Sequence, residues 1–171
     1  PVAHPSVMVR REELLELGGY HEHGWAEDYD LWLRYHLAGK QFAKVEKTLL
    51  CWRQSEGRLT FTDSRYSVEN FLRAKAHYLH CRLQIDDCGL NRPVVLWGAG
   101  KTGRRLLKHL LREGVDVEAI VDIDPNKIGH KMRGRPIVSV DYLRKQQTAR
   151  PYVIAAVSSH GARELIRAQL K

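Results

Sequence analysis

Glu27 and Asp28 stand side by side after a loop that holds His21, His23 and Trp25, and that loop follows the glycine pair Gly18-Gly19. Two such glycines end a helix. The adjacent carboxylates open the next one, where each meets the positive end of the helix dipole, an effect of about 0.3–1 kcal/mol. Capping alone accounts for an acidic pair at a helix start. The chemistry available beyond capping is general-base catalysis. A carboxylate held beneath imidazoles that hydrogen-bond and an indole that stacks can take a proton from a sugar hydroxyl, a step worth about 10²–10⁴-fold.

A second group of residues points to anion binding. Gly98-Ala99-Gly100-Lys101-Thr102-Gly103 reads G-x-G-x-x-G, follows the apolar run Val94-Val95-Leu96-Trp97 and opens a helical stretch, the context this motif needs. Gly98 permits the tight turn, Gly100 lets a phosphate approach the backbone, and Gly103 lets helix and strand pack closely. Free amides at the helix start, around Lys101 and Thr102, suit an anion. Asp122 falls at the end of the next expected strand, where an acidic group holds a ribose hydroxyl and disfavours a phosphorylated ribose; Asp124 is a nearby substitute. Ser158, Ser159 and His160 follow a later strand and line the same crevice, Ser159 being also a candidate helix cap.

The elements that must position these residues fall into two patterns. Helices are expected over 10–17 and 27–38, the latter with Leu31 and Tyr35 on one face, widened by Trp32 and Leu37. Short strands are expected over 41–46 and 48–53, a polar loop over 54–63, and one long helix over 64–87. From residue 92 the pattern alternates. Strands are expected at 94–97, 117–122, 136–138 and 152–157, the last a strong buried one, with helices at 102–113, 140–146 and 161–170. Such alternation specifies an α/β fold with a parallel sheet. The expected domains are 1–63, a helical connector over 64–91, and 92–171, with a break at 89–93.

Composition narrows the functional classes. With 171 residues, 43% hydrophobic and 28% charged, the chain is long enough for one ordinary domain or two small ones. No apolar run approaches the ~20 residues of a membrane span. Cys51, Cys81 and Cys88 contain no C-x-x-C pair, which suits reduced thiols in the cytoplasm. His77, His80 and Cys81 read as a helix surface, and no metal site is expected within these residues. The net charge of +8 favours anionic partners, phosphorylated substrates or the inner face of an anionic membrane. Nucleic acid is not expected, because the basic residues are scattered; Arg104, Arg105, Lys108 and Arg112 read as a solvated helix face.

Two family resemblances bear on function. His4-Pro5-Ser6-Val7-Met8-Val9-Arg10-Arg11, Gly18-Gly19-Tyr20, Glu27-Asp28-Tyr29-Asp30-Leu31-Trp32-Leu33-Arg34, Gly39 and Leu50-Cys51-Trp52-Arg53 follow one another in order. The series resembles the acceptor-side half of the inverting family-two glycosyltransferases with the GT-A fold. The resemblance implies transfer of sugar from a nucleotide-sugar to a glycan or lipid-linked acceptor, with Asp28 as the base, Glu27 tuning it or contacting the acceptor, and His21, His23 and Trp25 near the acceptor. The donor half of that family carries an Asp-x-Asp metal site. None precedes His4, and Ser55 stands where many relatives place a histidine. The expectation is therefore a fragment of a longer protein, inactive alone, with nucleotide-sugar and divalent metal bound only by the whole.

Asp122-Ile123-Asp124-Pro125, Lys127-Ile128-Gly129 and Gly134-Arg135-Pro136-Ile137, together with the glycine loop, resemble Rossmann-like modules, including those at the start of sugar acetyltransferases of bacterial glycan pathways. That resemblance implies a nucleotide-sugar, NAD or another dinucleotide, or coenzyme A at the loop, or a loop that has lost its ligand. The alternative to a glycosyltransferase end is thus a non-catalytic nucleotide-binding module with a regulatory or scaffolding role.

Overall fold

The computed structural model describes residues 2–53, 55–87, 91–146, 148–159 and 161–170. Cys88, His160 and residues 89–90 of the expected break lie outside them. The chain forms two compact units, Pro1–Arg82 and Leu83–Lys171. No described helix is long and apolar enough to cross a membrane.

The first unit is helical. Its elements are a 3-10 turn at His4–Ser6, α1 (Arg11–Glu16), α2 (Glu27–Leu37), α3 (Leu59–Thr62), a second 3-10 turn at Ser64–Tyr66, and most of α4 (Val68–Asp87). Gly18 and Gly19 both take positive φ, and the Gly19 amide donates to the Leu14 carbonyl at 2.9 Å, so the pair turns the chain out of α1 as its residue types demand.

α2 buries two faces. Leu31, Trp32 and Tyr35 pack with Val7, Leu14 and Leu17, while Tyr29, Leu33 and Leu37 pack with Trp25, Ala74 and Tyr78. Leu37 therefore belongs to the opposite face from the one expected. α4 begins at Val68 rather than 64 because Asp63 accepts from the Arg65 amide and makes a separate turn. Ser67 Oγ then accepts from the Asn70 amide at 3.2 Å, the usual geometry of a serine cap.

The strands expected over 41–46 and 48–53 do not form. All residues from 41 to 53 are exposed and irregular, and no described residue of the first unit lies in a strand. Alternating apolar residues become a strand only beside a partner whose backbone groups they can satisfy, and none is present among the described residues of this unit.

The second unit is an α/β layer. Its strands are β1 (Val94–Trp97), β2 (Val117–Val121), β3 (Lys131–Met132), β4 (Arg135–Val138) and β5 (Tyr152–Ala155), in the order β3-β4-β2-β1-β5. β4, β2, β1 and β5 are mutually parallel; β3 pairs antiparallel with β4, a hairpin the sequence reading missed. Helices α5 (Lys101–Arg112), α6 (Asp141–Lys145) and α7 (Ala162–Gln169) flank it. Val95, Trp97 and Val121 pack with Leu143 of α6 and Ile166 of α7, and α5 lies against β1 and β2.

β1 is buried throughout, as an uninterrupted apolar run in a central parallel strand should be. β5 corrects an expectation. It is only half-buried, and Ala155 is exposed, because β5 pairs with β1 alone and forms the sheet edge.

Candidate functional site

The acidic start of α2 holds three carboxylates in three different states. Asp30 is fully buried. Its Oδ1 accepts from Trp25 Nε1 at 2.9 Å and Tyr78 Oη at 2.7 Å, and its Oδ2 accepts from Arg34 Nε at 2.8 Å. Arg34 spends its other two nitrogens on the carbonyls of Leu17 and Gly19, both at 2.6 Å, so one ion pair ties α2 and α4 to the glycine turn. Burial pushes the Asp30 carboxyl up, but the Trp25, Tyr78 and Arg34 hydrogen bonds and the Arg34 charge outweigh it and hold the carboxyl below its ordinary range.

Glu27 is restrained as well. Its Oε1 accepts from Tyr66 Oη at 2.8 Å, and its Oε2 lies 3.8 Å from Arg65. Burial and the Glu27 contact push the Tyr66 hydroxyl well above its ordinary range, so it remains a donor. Asp28 differs from both. It is half-buried, and among the described contacts its carboxylate takes only the neighbouring Tyr29 amide, at 2.7 Å.

The expected acceptor residues sit as a ring cluster. His21 and His23 meet edge to face with centroids 5.5 Å apart, and His23 stacks on Trp25 at 5.4 Å. Trp25 is 9% exposed, and the Arg73 guanidinium lies 5.6 Å from its ring centroid. The stacking role expected of Trp25 is therefore closed here: its indole N–H belongs to Asp30, and a sugar would have to displace His23. His21, His23 and Asp30 each bring one ligand-type atom within 4.8 Å of the others. The Asp30 carboxylate already takes three donors and pairs with Arg34, which leaves little capacity for a cation and a positive charge beside it.

The Asp30–Arg34 pair was missed in the sequence reading, although its i,i+4 spacing was an available signal, whereas Tyr66 and Tyr78 come from 39 and 48 residues away and left no local signal.

In the second unit the glycine loop bridges β1 and α5 as expected. Gly98 has φ +116°, and a Cβ there would lie 3.0 Å from the Ala156 carbonyl oxygen and from Val157 Cγ1. A Cβ at Gly103 would drive into the Gly98 carbonyl oxygen, with the Gly98 carbonyl carbon at 2.9 Å. Gly100 is different: a Cβ there meets nothing within 4 Å. α5 has no side-chain cap, so its leading amides remain to be satisfied.

The strand order reverses at β1. The chain proceeds outward through β2 and β4, then crosses to β5 on the other side, and ligands in such sheets bind beyond the carboxyl ends of strands at this reversal. The loop after β5 arrives there. The Ala156 amide donates to the Trp97 carbonyl at 2.8 Å, and Thr102 Oγ1 donates to Ser158 Oγ at 3.4 Å. Lys101 and Ser158 are exposed. Ser159 does not cap α7 with its side chain; Gly161 holds the cap position, and only the Ser159 carbonyl takes part, accepting from the Ala162 amide.

Asp122 makes contacts that the sequence did not indicate. It is 7% exposed; its Oδ2 accepts from the Ala99 amide at 2.6 Å, and its Oδ1 accepts from the Asp124 amide at 2.9 Å. It braces the glycine loop from the next strand, which its sequence position alone could not reveal. Lys127 Nζ sits 3.1 Å from Asp124 Oδ2 and 3.6 Å from Asp122 Oδ1. The Lys127 hydrogen bond, with that of the Asn126 amide, holds Asp124 below its ordinary range, and Asp124 in turn raises Lys127.

A parallel sheet with this order, a glycine loop opening α5 at its reversal point and an acidic brace from β2 define a Rossmann-like nucleotide-binding module. Residues 91–171 match the family model described as CoA binding domain. The match leaves residues 1–90 outside. No curated protein and no solved structure matches the chain.

Proposed function

We propose that the second unit is a non-catalytic module that binds a nucleotide through its diphosphate at the glycine loop. The observation that carries this reading is the open space at Gly100, in front of the uncapped start of α5 and at the sheet's reversal point. Backbone amides and the helix dipole meet an anion there without help from a metal. Gly98 and Gly103 bring the backbone close to its neighbours, Asp122 holds the loop in place, and Lys101 supplies a positive charge. In this reading the role is binding, with a regulatory or scaffolding consequence.

Titration calorimetry of the purified chain with NAD, coenzyme A and uridine nucleotides tests this. Saturable binding of at least one is the expected result. Silence from all of them at millimolar concentration would reduce the loop to a fold-building turn.

A second reading concerns the first unit, as the acceptor-side part of an inverting glycosyltransferase that acts within a longer protein on a nucleotide-sugar and a glycan acceptor. Its specific support is the state of Asp28. Of the carboxylates in the first turn of α2, Glu27 is held by Tyr66 and Arg65 and Asp30 by its three donors, while Asp28 keeps acceptor capacity for a proton. In the longer protein, Asp28→Asn is expected to abolish transfer while donor binding persists. Unchanged turnover would remove the base assignment.

A further inference from the structure

The apolar side chains that the first unit does not bury are gathered in one stretch. Phe42, Val45, Leu49, Trp52, Leu59 and Phe61 are each between 47% and 75% exposed. Single exposed apolar residues are ordinary, but a run this dense marks a surface that another body covers. The two ends of the stretch meet at Arg58, whose guanidinium carbon lies 4.1 Å from the Trp52 ring centroid and 5.8 Å from that of Phe61.

The charges between these side chains say what kind of body that is. Lys44, Lys47, Arg53 and Arg58 alternate with them, against Glu46 and Glu56 alone, so the stretch is net positive. Lys47 and Arg53 are exposed, and the Lys44 and Glu46 side chains, 3.4 Å apart, are 81% and 83% exposed. Aromatic and aliphatic side chains interleaved with basic ones suit the headgroup region of an anionic bilayer, where cations meet lipid phosphates and apolar groups reach the acyl boundary. Tryptophan is favoured at that depth.

The backbone sets the limit of insertion. Residues 41–53 are neither helix nor strand, so their amides and carbonyls need water and cannot enter hydrocarbon. Only side chains can go in. An irregular stretch also presents no helix ridge or strand edge for a protein partner to match, and a fluid lipid surface requires neither.

We propose that residues 42–61 form a docking surface for an anionic membrane, holding the first unit at the level of the lipid headgroups without spanning the bilayer. Neither functional reading above is required for it.

The test mixes the whole chain with vesicles of phosphatidylglycerol and phosphatidylcholine in equal parts, and with vesicles of phosphatidylcholine alone. Binding is followed by flotation and by quenching of tryptophan fluorescence with lipids brominated on their acyl chains. Trp52 is the exposed tryptophan, while Trp25, Trp32 and Trp97 are 9%, 7% and 3% exposed, so quenching reports on this surface. The anionic vesicles are expected to bind at least about tenfold more tightly, as a few basic side chains at an anionic surface require, and to quench Trp52. Added salt should weaken the binding. Lys44→Glu with Lys47→Glu should remove most of the preference for anionic lipid. Leu49→Ser with Phe61→Ser should weaken binding about tenfold or more through lost insertion, with an unchanged circular dichroism spectrum because both side chains are exposed. Absence of vesicle binding would overturn the proposal. So would binding that leaves Trp52 unquenched or that Leu49→Ser with Phe61→Ser does not weaken, since the chain's net charge of +8 would then act alone. A dimer in sedimentation velocity that the same two substitutions dissolve, without vesicle binding, would assign the surface to a second copy instead.

Discussion

Gly103→Ala should destabilise the second unit strongly, while Gly100→Val should leave it folded and unable to bind its ligand. Both glycines lie within five residues of Gly98, yet their surroundings differ completely. Gly103 is inside α5, where alanine ordinarily gains about 1 kcal/mol over glycine. That gain is overwhelmed here, because the added Cβ would collide with the Gly98 carbonyl group. A backbone oxygen in a loop pinned by Asp122 and by the Val121 carbonyl cannot step aside as a flexible side chain can. Overpacking of this kind costs about 1–3 kcal/mol and occasionally more, and the absence of a soft neighbour puts Gly103→Ala at or above the upper end.

Gly100 has φ −80° and ψ −169°, extended backbone that any residue adopts, and open space around its missing side chain. Gly100→Val therefore costs at most about 1 kcal/mol as a poorer helix cap, while its methyl groups occupy the room a phosphate needs. Thermal unfolding followed by circular dichroism, with calorimetry on whatever folds, separates the two. An unchanged midpoint for Gly103→Ala, or undiminished nucleotide binding by Gly100→Val, would contradict the geometry.

Asp30→Ala is expected to cost the first unit about 3–5 kcal/mol, the range for removing one partner of a buried ion pair. The substitution leaves Arg34 charged at 12% side-chain exposure and strips Trp25 and Tyr78 of their acceptor. Asp28→Asn, two residues earlier on the same helix, should cost less than about 1 kcal/mol, the scale of a helix-dipole contact.

Urea unfolding with hydrogen exchange of the α2 amides measures both. A loss below about 1 kcal/mol for Asp30→Ala would show that the hub is not the tie its hydrogen bonds describe. The pH dependence has a definite sign. The folded carboxyl titrates below the unfolded one, so its stabilisation is fully present above the unfolded value of about 3.9 and is lost as pH falls through the folded one. The unaltered chain should therefore lose stability in acid, and Asp30→Ala should lack that component.

How much was legible in the sequence differs between the two units. In the second, β1 and the end of α5 at Gly114 needed only an apolar run and a glycine stop, and the glycine motif sat where its mechanism requires. Local periodicity suffices there because a central parallel strand is buried on both faces and must be apolar throughout. Edge position is not a local property. The run at β5 is as apolar as a central strand, and only its pairing with β1 alone leaves it half-exposed.

In the first unit the sequence by itself determined the glycine-terminated α1, the acidic start of α2 and its amphipathic span. It specified strands over 41–53 that do not form, because residue pattern supplies a strand's propensity but not its partner. It also could not rank the acidic residues. Glu27, Asp28 and Asp30 are chemically alike and adjacent. Tertiary structure alone decided that Asp30 is a buried tie, that Glu27 is held by Tyr66 and Arg65, and that Asp28 keeps a free acceptor face. It likewise decided that Asp122 braces the glycine loop through the Ala99 amide. In each case the reason is the same: a carboxylate's role follows from which donors reach it, and those donors come from residues far along the chain.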